Sequence, residues 1–145
     1  LLTLYGVDVG IRYDRMYEAA RLLQQISGIQ VPTNRAVFGE MLFDIESGII
    51  ASWYRNCYHT NPTELFPVRP EFLGRRPARV VMGKGSGADN VRVWLEEEGL
   101  SATDDQVMEL VGLVKAESLL KGRLLTRDEF RTLALLVLTR GRAQF

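Results

Sequence analysis

The chain carries a single cysteine, Cys57, and a single histidine, His59, among 145 residues. One thiol cannot close an internal disulfide, and no Cys/His spacing resembles a zinc site. Net charge is lacking too, because eighteen basic side chains offset eighteen acidic ones. Neither nucleic acid nor a membrane is therefore expected as a partner. No apolar run approaches the roughly 20 residues of a membrane span. The longest, Leu133 to Leu138, is expected to be the buried side of a terminal helix. The opening Leu1-Leu2-Thr3-Leu4 has neither an initiating Met nor the features of a signal peptide, so a fragment of a cytoplasmic protein is expected. The chain is also too short for a (β/α)₈ barrel, which takes about 250 residues.

What is present suffices for a core without staples. Hydrophobic residues make up 46% of the chain, and a domain of this size buries about 68–70% of the surface its unfolded chain exposes. From Ile11 to Ile26 apolar positions recur at three- and four-residue steps, which predicts a first helix stopped by Ser27-Gly28. Val31-Pro32-Thr33-Asn34 reads as a connector. Between Ala36 and Asn56 the pattern predicts a short helical turn, a tight corner at Glu46-Ser47-Gly48, and a helix through about Arg55. Four of the five prolines (Pro62, Pro67, Pro70, Pro77) predict an ordered but irregular crossover from Asn56 to Pro77. Arg79-Val80-Val81-Met82 is the strand candidate, and Gly83-Lys84-Gly85-Ser86-Gly87 turns it into a helix over about Ala88 to Glu98. Thr103 with Gln106, and Thr126 with Glu129, are capping-box patterns opening two further helices, the first of them ended by Gly122. The expected fold is mainly α with one short β-strand.

Few residues offer chemistry. The turn Gly83-Lys84-Gly85-Ser86-Gly87 has the composition of an anion cradle, since glycines let backbone amides approach a phosphate at a helix start. Its spacing matches neither a P-loop nor G-x-G-x-x-G, so a plain strand-to-helix turn is the competing reading. His59, with Tyr58 beside it, is the residue any imidazole-based catalysis here would have to use; a surface loop histidine is the alternative. Glu46 and Asp44 could serve as acid or base, or Glu46 could cap the helix that follows. Arg69, Arg75, Arg76, Arg79 and Lys84 could meet coenzyme phosphates, or be solvated charge. No metal cluster, nucleophilic triad or nucleotide loop can be assembled from these residues.

Two ordered motifs nevertheless resemble a known family. Gly39-Glu40-Met41-Leu42-Phe43-Asp44-Ile45-Glu46-Ser47-Gly48-Ile49 is similar to the segment that follows the catalytic barrel in isopropylmalate, homocitrate and citramalate synthases. Pro70-Glu71-Phe72-Leu73-Gly74-Arg75, then Val80-Val81-Met82-Gly83-Lys84-Gly85-Ser86-Gly87, resembles that family's next stretch. The opening Tyr5-Gly6-Val7-Asp8-Val9-Gly10-Ile11 fits the passage out of the barrel. The resemblance implies helical linker and lid subdomains that normally follow a TIM barrel of the HMG-CoA lyase-like superfamily. It divides the chain into 1–28 leaving the barrel, 29–77 as linker, and 78–145 as a strand with three helices. It also implies a Claisen condensation of an acyl-CoA with a 2-oxo acid, dependent on a divalent metal (Mg, Mn or Zn) held in the barrel. The implied partners are the chain's own barrel and a second identical subunit.

The sequence departs from this pattern at positions that matter. Where the synthases carry a histidine after Glu-Ser-Gly-Ile, this chain has Ile50. A frequent tyrosine is matched by Leu65, and the corner histidine after Lys84 is Gly85. The longer crossover suggests that Tyr58 and His59 could fill the vacated space by another route. Three readings stay open: a lid of a condensing synthase or of an aldolase- or lyase-type member; a non-catalytic module binding a partner through Phe38, Phe43, Trp53, Phe66 and Phe72; or a small enzyme working through His59.

Overall fold

The computed structural model describes residues 5–140. The reading of Leu1-Leu2-Thr3-Leu4 lies outside the described residues. These form five α-helices and two short strands: α1 (Met16–Ser27), β1 (Asp44–Ile45), α2 (Gly48–Cys57), β2 (Arg79–Val80), α3 (Ala88–Glu97), α4 (Asp104–Lys121) and α5 (Arg127–Arg140). Single 3₁₀ turns at Tyr13–Arg15, Pro62–Glu64 and Pro70–Leu73 punctuate the rest. The chain is thus mainly helical, as its periodicity indicates. The expected strand has a partner that the sequence does not announce. β1 runs parallel to β2, with Asp44 opposite Arg79 and Ile45 opposite Val80. Met82 adds an isolated antiparallel bridge to Leu125. Two residues are too few to show an alternating pattern, which is why β1 is silent in the sequence.

The described chain divides into two compact units that interleave along the sequence: residues up to Phe43 with Val68–Ala78, and Asp44–Pro67 with Arg79 onward. In the second unit, Val80, Met82, Val91, Leu110, Val114, Phe130 and Val137 are all buried. The Trp94 and Phe130 rings meet edge to face at 5.2 Å, and Trp94 Nε1 donates to Val80 O at 2.9 Å, which ties α3 to β2 while satisfying the indole N–H. Both capping boxes form. Thr103 Oγ1 accepts from Gln106 N while Gln106 Oε1 accepts from Thr103 N. Thr126 and Glu129 repeat the exchange at the start of α5. Gly122 closes α4 at φ 64°, a left-handed conformation open to glycine at little cost. One expectation needs correcting here. The run Leu133 to Leu138 is not uniformly buried: Ala134 and Val137 face the core while Leu135 and Leu136 are exposed, because a 3.6-residue period turns only one face inward.

In the first unit a buried arginine organises an irregular loop. Arg75 is 6% exposed; its guanidinium donates to the carbonyls of Val37, Gly39 and Glu40 and lies 4.0 Å over the Tyr17 ring. Val37, held this way, sits at φ 67°, where a β-branched residue is strained. Gly74 packs its backbone against Asp14 at φ 68°, so a side chain there would strike the Asp14 carbonyl. Helix α1 ends where its stop signal predicts but begins at Met16 rather than Ile11, after a 3₁₀ turn at Tyr13–Arg15, and none of its residues is buried. Leu23, Ile29, Val31 and Phe38 help to line an open apolar groove of about 420 Å³. Of the five aromatic residues expected to meet a partner, Trp53 and Phe72 are exposed and Phe38 and Phe66 half-buried, while Phe43 is buried within this unit, close to the Arg75 guanidinium.

Candidate functional site

The corner before α2 is where the two resemblance motifs meet. β1 brings Glu46 beside the glycine turn that leaves β2, and Glu46 Oε1 accepts the Gly85 N–H at 2.9 Å. Ser86, buried, folds back on the same turn, its Oγ accepting from Gly83 N at 2.9 Å while its own N–H donates to Gly83 O. The Gly87 N–H donates to Asn90 Oδ1 at 2.9 Å. The amides of Gly83, Gly85, Ser86 and Gly87 thus all have partners within the chain, and the anion seated at the turn is the chain's own carboxylate. Lys84 is exposed at the tip. Glu46 does not cap α2. The N-cap residue Ser47 makes no side-chain capping bond either.

Asn90 is the residue that reading the sequence alone passed over. It is fully buried, and its Nδ2 donates to Glu46 O at 2.9 Å and more weakly to Val81 O and Ile45 O. One amide side chain thereby joins the ends of β1 and β2 to the first turn of α3. Its position three residues after Gly87, at a helix start, is the only signal that could have pointed to it.

The other candidates lie at the far end of α2. Tyr58 stacks on Tyr54 at 4.7 Å, and His59 meets both rings edge on. Tyr54, Arg55, His59, Glu96 and Glu97 line an open groove between α2 and α3. Burial pushes the Tyr54 hydroxyl pKa up, with the Glu97 charge adding to the effect. Arg55 already bridges Asp89 and Glu96, at 2.8 and 2.7 Å. A ten-residue helix is about 15 Å long, so Glu46 and Ile50 stand at one end of α2 while Tyr58 and His59 stand at the other. Within this chain the structure does not bring the acid, the histidine and the isoleucine together. The Cys57 thiol donates to Trp53 O within α2.

The arginines are occupied as well. Arg79 pairs with Asp44, whose side chain is only 3% exposed, Arg75 serves its loop, and Arg69 approaches Glu71. Among the described residues no three His, Cys, Asp or Glu side chains converge as metal ligands do. The donor set here therefore does not fit the divalent metal that the resemblance implies. No helix among the described residues is long and apolar enough to cross a membrane.

No family model matches the chain. Individual proteins do. It is 36% identical over 131 residues, 90% of its length, to a protein named as an (R)-citramalate synthase in Methanopyrus kandleri, of which it spans 25%. It is 35% identical over 115 residues to a protein named as a 2-isopropylmalate synthase in the same organism, covering 79% of this chain and 22% of that one. Homocitrate synthase 1 of Nostoc is 35% identical over 130 residues, 90% of this chain and 33% of the relative. The chain spans about a quarter of the length of the curated relatives it matches. Identity of about a third over most of the chain, to relatives carrying these three names, places it in the family of citramalate, isopropylmalate and homocitrate synthases.

Proposed function

We propose that the chain is the linker and lid region of a synthase joining an acyl-CoA to a 2-oxo acid, and that it covers a barrel which lies outside it. The observation that carries this reading is the contrast in coverage: 90% of this chain aligns, but only 25% of the citramalate synthase relative. Exposed apolar surface on α2, with Ile49 at 72% and Trp53 at 52%, is consistent with a surface made to be covered. The covering partners are the chain's own barrel and, in a dimer, a second identical subunit. The divalent metal and the acyl-CoA belong to the barrel in this reading.

The lid's contribution is then shape rather than proton transfer. Ile50, in the first turn of α2, can neither donate nor accept a proton. Glu46, Ser47 and Gly48 form a rigid corner that aims this turn, so that closing the lid excludes water and holds the substrate in place. Ile50 also favours one competing reading, a non-catalytic interaction module of the same ancestry. The experiment compares the full-length protein with this chain, using acetyl-CoA and a panel of 2-oxo acids. The lid reading expects condensation by the full-length protein, none by the isolated chain, and loss of turnover when residues 44–140 are deleted. Turnover by the isolated chain would refute it. An inert full-length protein would favour the interaction module.

A further inference from the structure

Glu46 is gripped at both its side chain and its backbone. Its Oε1 takes the Gly85 N–H at 2.9 Å, and its carbonyl takes Asn90 Nδ2 at 2.9 Å. A Cβ built at Gly83 would fall on Glu46 Oε1 and come 2.7 Å from Leu124 Cδ2. Gly83 does not lie in the left-handed region, so conformational freedom does not account for its being glycine. The space of its missing side chain is filled by the Glu46 carboxylate. Two residues on, a Cβ at Gly48 would stand 3.0 Å from Gly87 Cα, so the two backbones touch as well. These contacts immobilise residues 46–48 directly before the turn that carries Ile49 and Ile50.

We infer that Glu46 is a positioning residue: its carboxylate, seated in the glycine turn as an internal anion, sets where Ile49 and Ile50 stand over the substrate. This rests on the lid reading given above. A carboxylate suits the task because a hydrogen bond from a backbone N–H to an ionised oxygen is shorter and stronger than one to a neutral acceptor. It also gives Gly83-Lys84-Gly85-Ser86-Gly87 a role other than holding phosphate. The turn is a socket for Glu46, and Gly83 and Gly85 are the two positions that keep it open; a Cβ at Gly85 would stand 3.3 Å from Oε1.

The test uses the full-length protein, with acetyl-CoA and the 2-oxo acid it turns over best. Glu46→Ala and Gly83→Ala are each expected to lower kcat about a hundredfold, the scale on which a misplacement of about 1 Å acts. KM for acetyl-CoA is expected to stay unchanged. Glu46→Gln, which keeps an acceptor oxygen, is expected to recover most of the loss. The double variant Glu46→Ala/Gly83→Ala should be no slower than Glu46→Ala alone, because the new methyl enters the vacated space. Each variant is first checked for the parent far-UV spectrum. Should Glu46→Ala not fold, Gly85→Ala, a milder displacement, takes its place, and a lowered kcat supports the inference. An active parent whose Glu46→Ala (or that substitute) keeps the parent kcat overturns it while leaving the lid reading intact, and additive losses in the double variant also overturn it. A parent inactive with every 2-oxo acid overturns the lid reading and this inference together.

Discussion

Replacing Asn90 by alanine removes the hub on which β1, β2 and α3 converge. The cost follows from counting what is left without a partner. Ile45 O still accepts from Val81 N at 2.9 Å, and Val81 O still accepts from Ser86 Oγ at 3.4 Å. The groups orphaned are the Gly87 N–H and the Glu46 carbonyl, each bonded to Asn90 at 2.9 Å. A buried polar group deprived of its partner costs about 1–3 kcal/mol. Both groups lie in half-buried residues, which favours the lower part of that range, so the loss is about 2–4 kcal/mol. At roughly 4 °C per kcal/mol for a chain of this size, melting falls by about 8–16 °C. The assay is urea unfolding followed by tryptophan fluorescence in a Trp53→Phe background, so that buried Trp94 reports on its own unit. An unchanged m-value would show that only stability has moved. A loss below about 1 kcal/mol would refute the reasoning, because the amide's bonds would then be worth no more than those it makes to water.

Two further perturbations follow from the same structure. Glu129 accepts hydrogen bonds from Arg123 and Lys121 and from the Thr126 backbone, which together hold its carboxyl far below the usual glutamate range. A carboxylate with a depressed folded-state pKa contributes stability that is present above its unfolded pKa and lost as pH falls through the folded one. Melting measured from neutral pH into acid should therefore fall less steeply in Glu129→Gln than in the parent, and equal slopes would contradict the assignment. Arg75→Lys should fail to preserve the first unit. A lysine cannot reproduce the fork that reaches three carbonyls, and the loss is about 3 kcal/mol, read out as faster amide exchange over residues 37–43. Exchange as slow as in the parent would show that the guanidinium is dispensable.

Legibility in the sequence tracked distance along the chain. The boxes Thr103/Gln106 and Thr126/Glu129 close over three residues, and Gly28 and Gly122 stop helices where they stand. Each of these is written locally and was visible. The Glu46 carboxylate meets Gly85 across 39 positions, Asn90 reaches Glu46 across 44, and Arg75 binds carbonyls 35 to 38 residues away. Such pairs leave no spacing to find. Both halves of the candidate site, the Glu46 corner and the glycine turn, could be named from the sequence; that one fills the other could not. Phe43 shows the same limit, since a lone aromatic in an irregular segment has no period to reveal which way it faces.

The interleaving of the two units has a practical consequence for anyone dissecting this protein. Residues up to Phe43 and Val68–Ala78 form one unit while the intervening stretch belongs to the other. No single cut therefore releases either unit whole. Truncation before Asp44 would leave Arg75 behind without Val37, Gly39 and Glu40 to bind, and truncation after Ala78 would leave Asp44 and Ile45 without β2. Deletion mapping by nested truncation would thus strand part of one unit inside whatever remains. Swapping Val68–Ala78 together with the preceding part of its unit is the smallest exchange that respects the way the chain is folded.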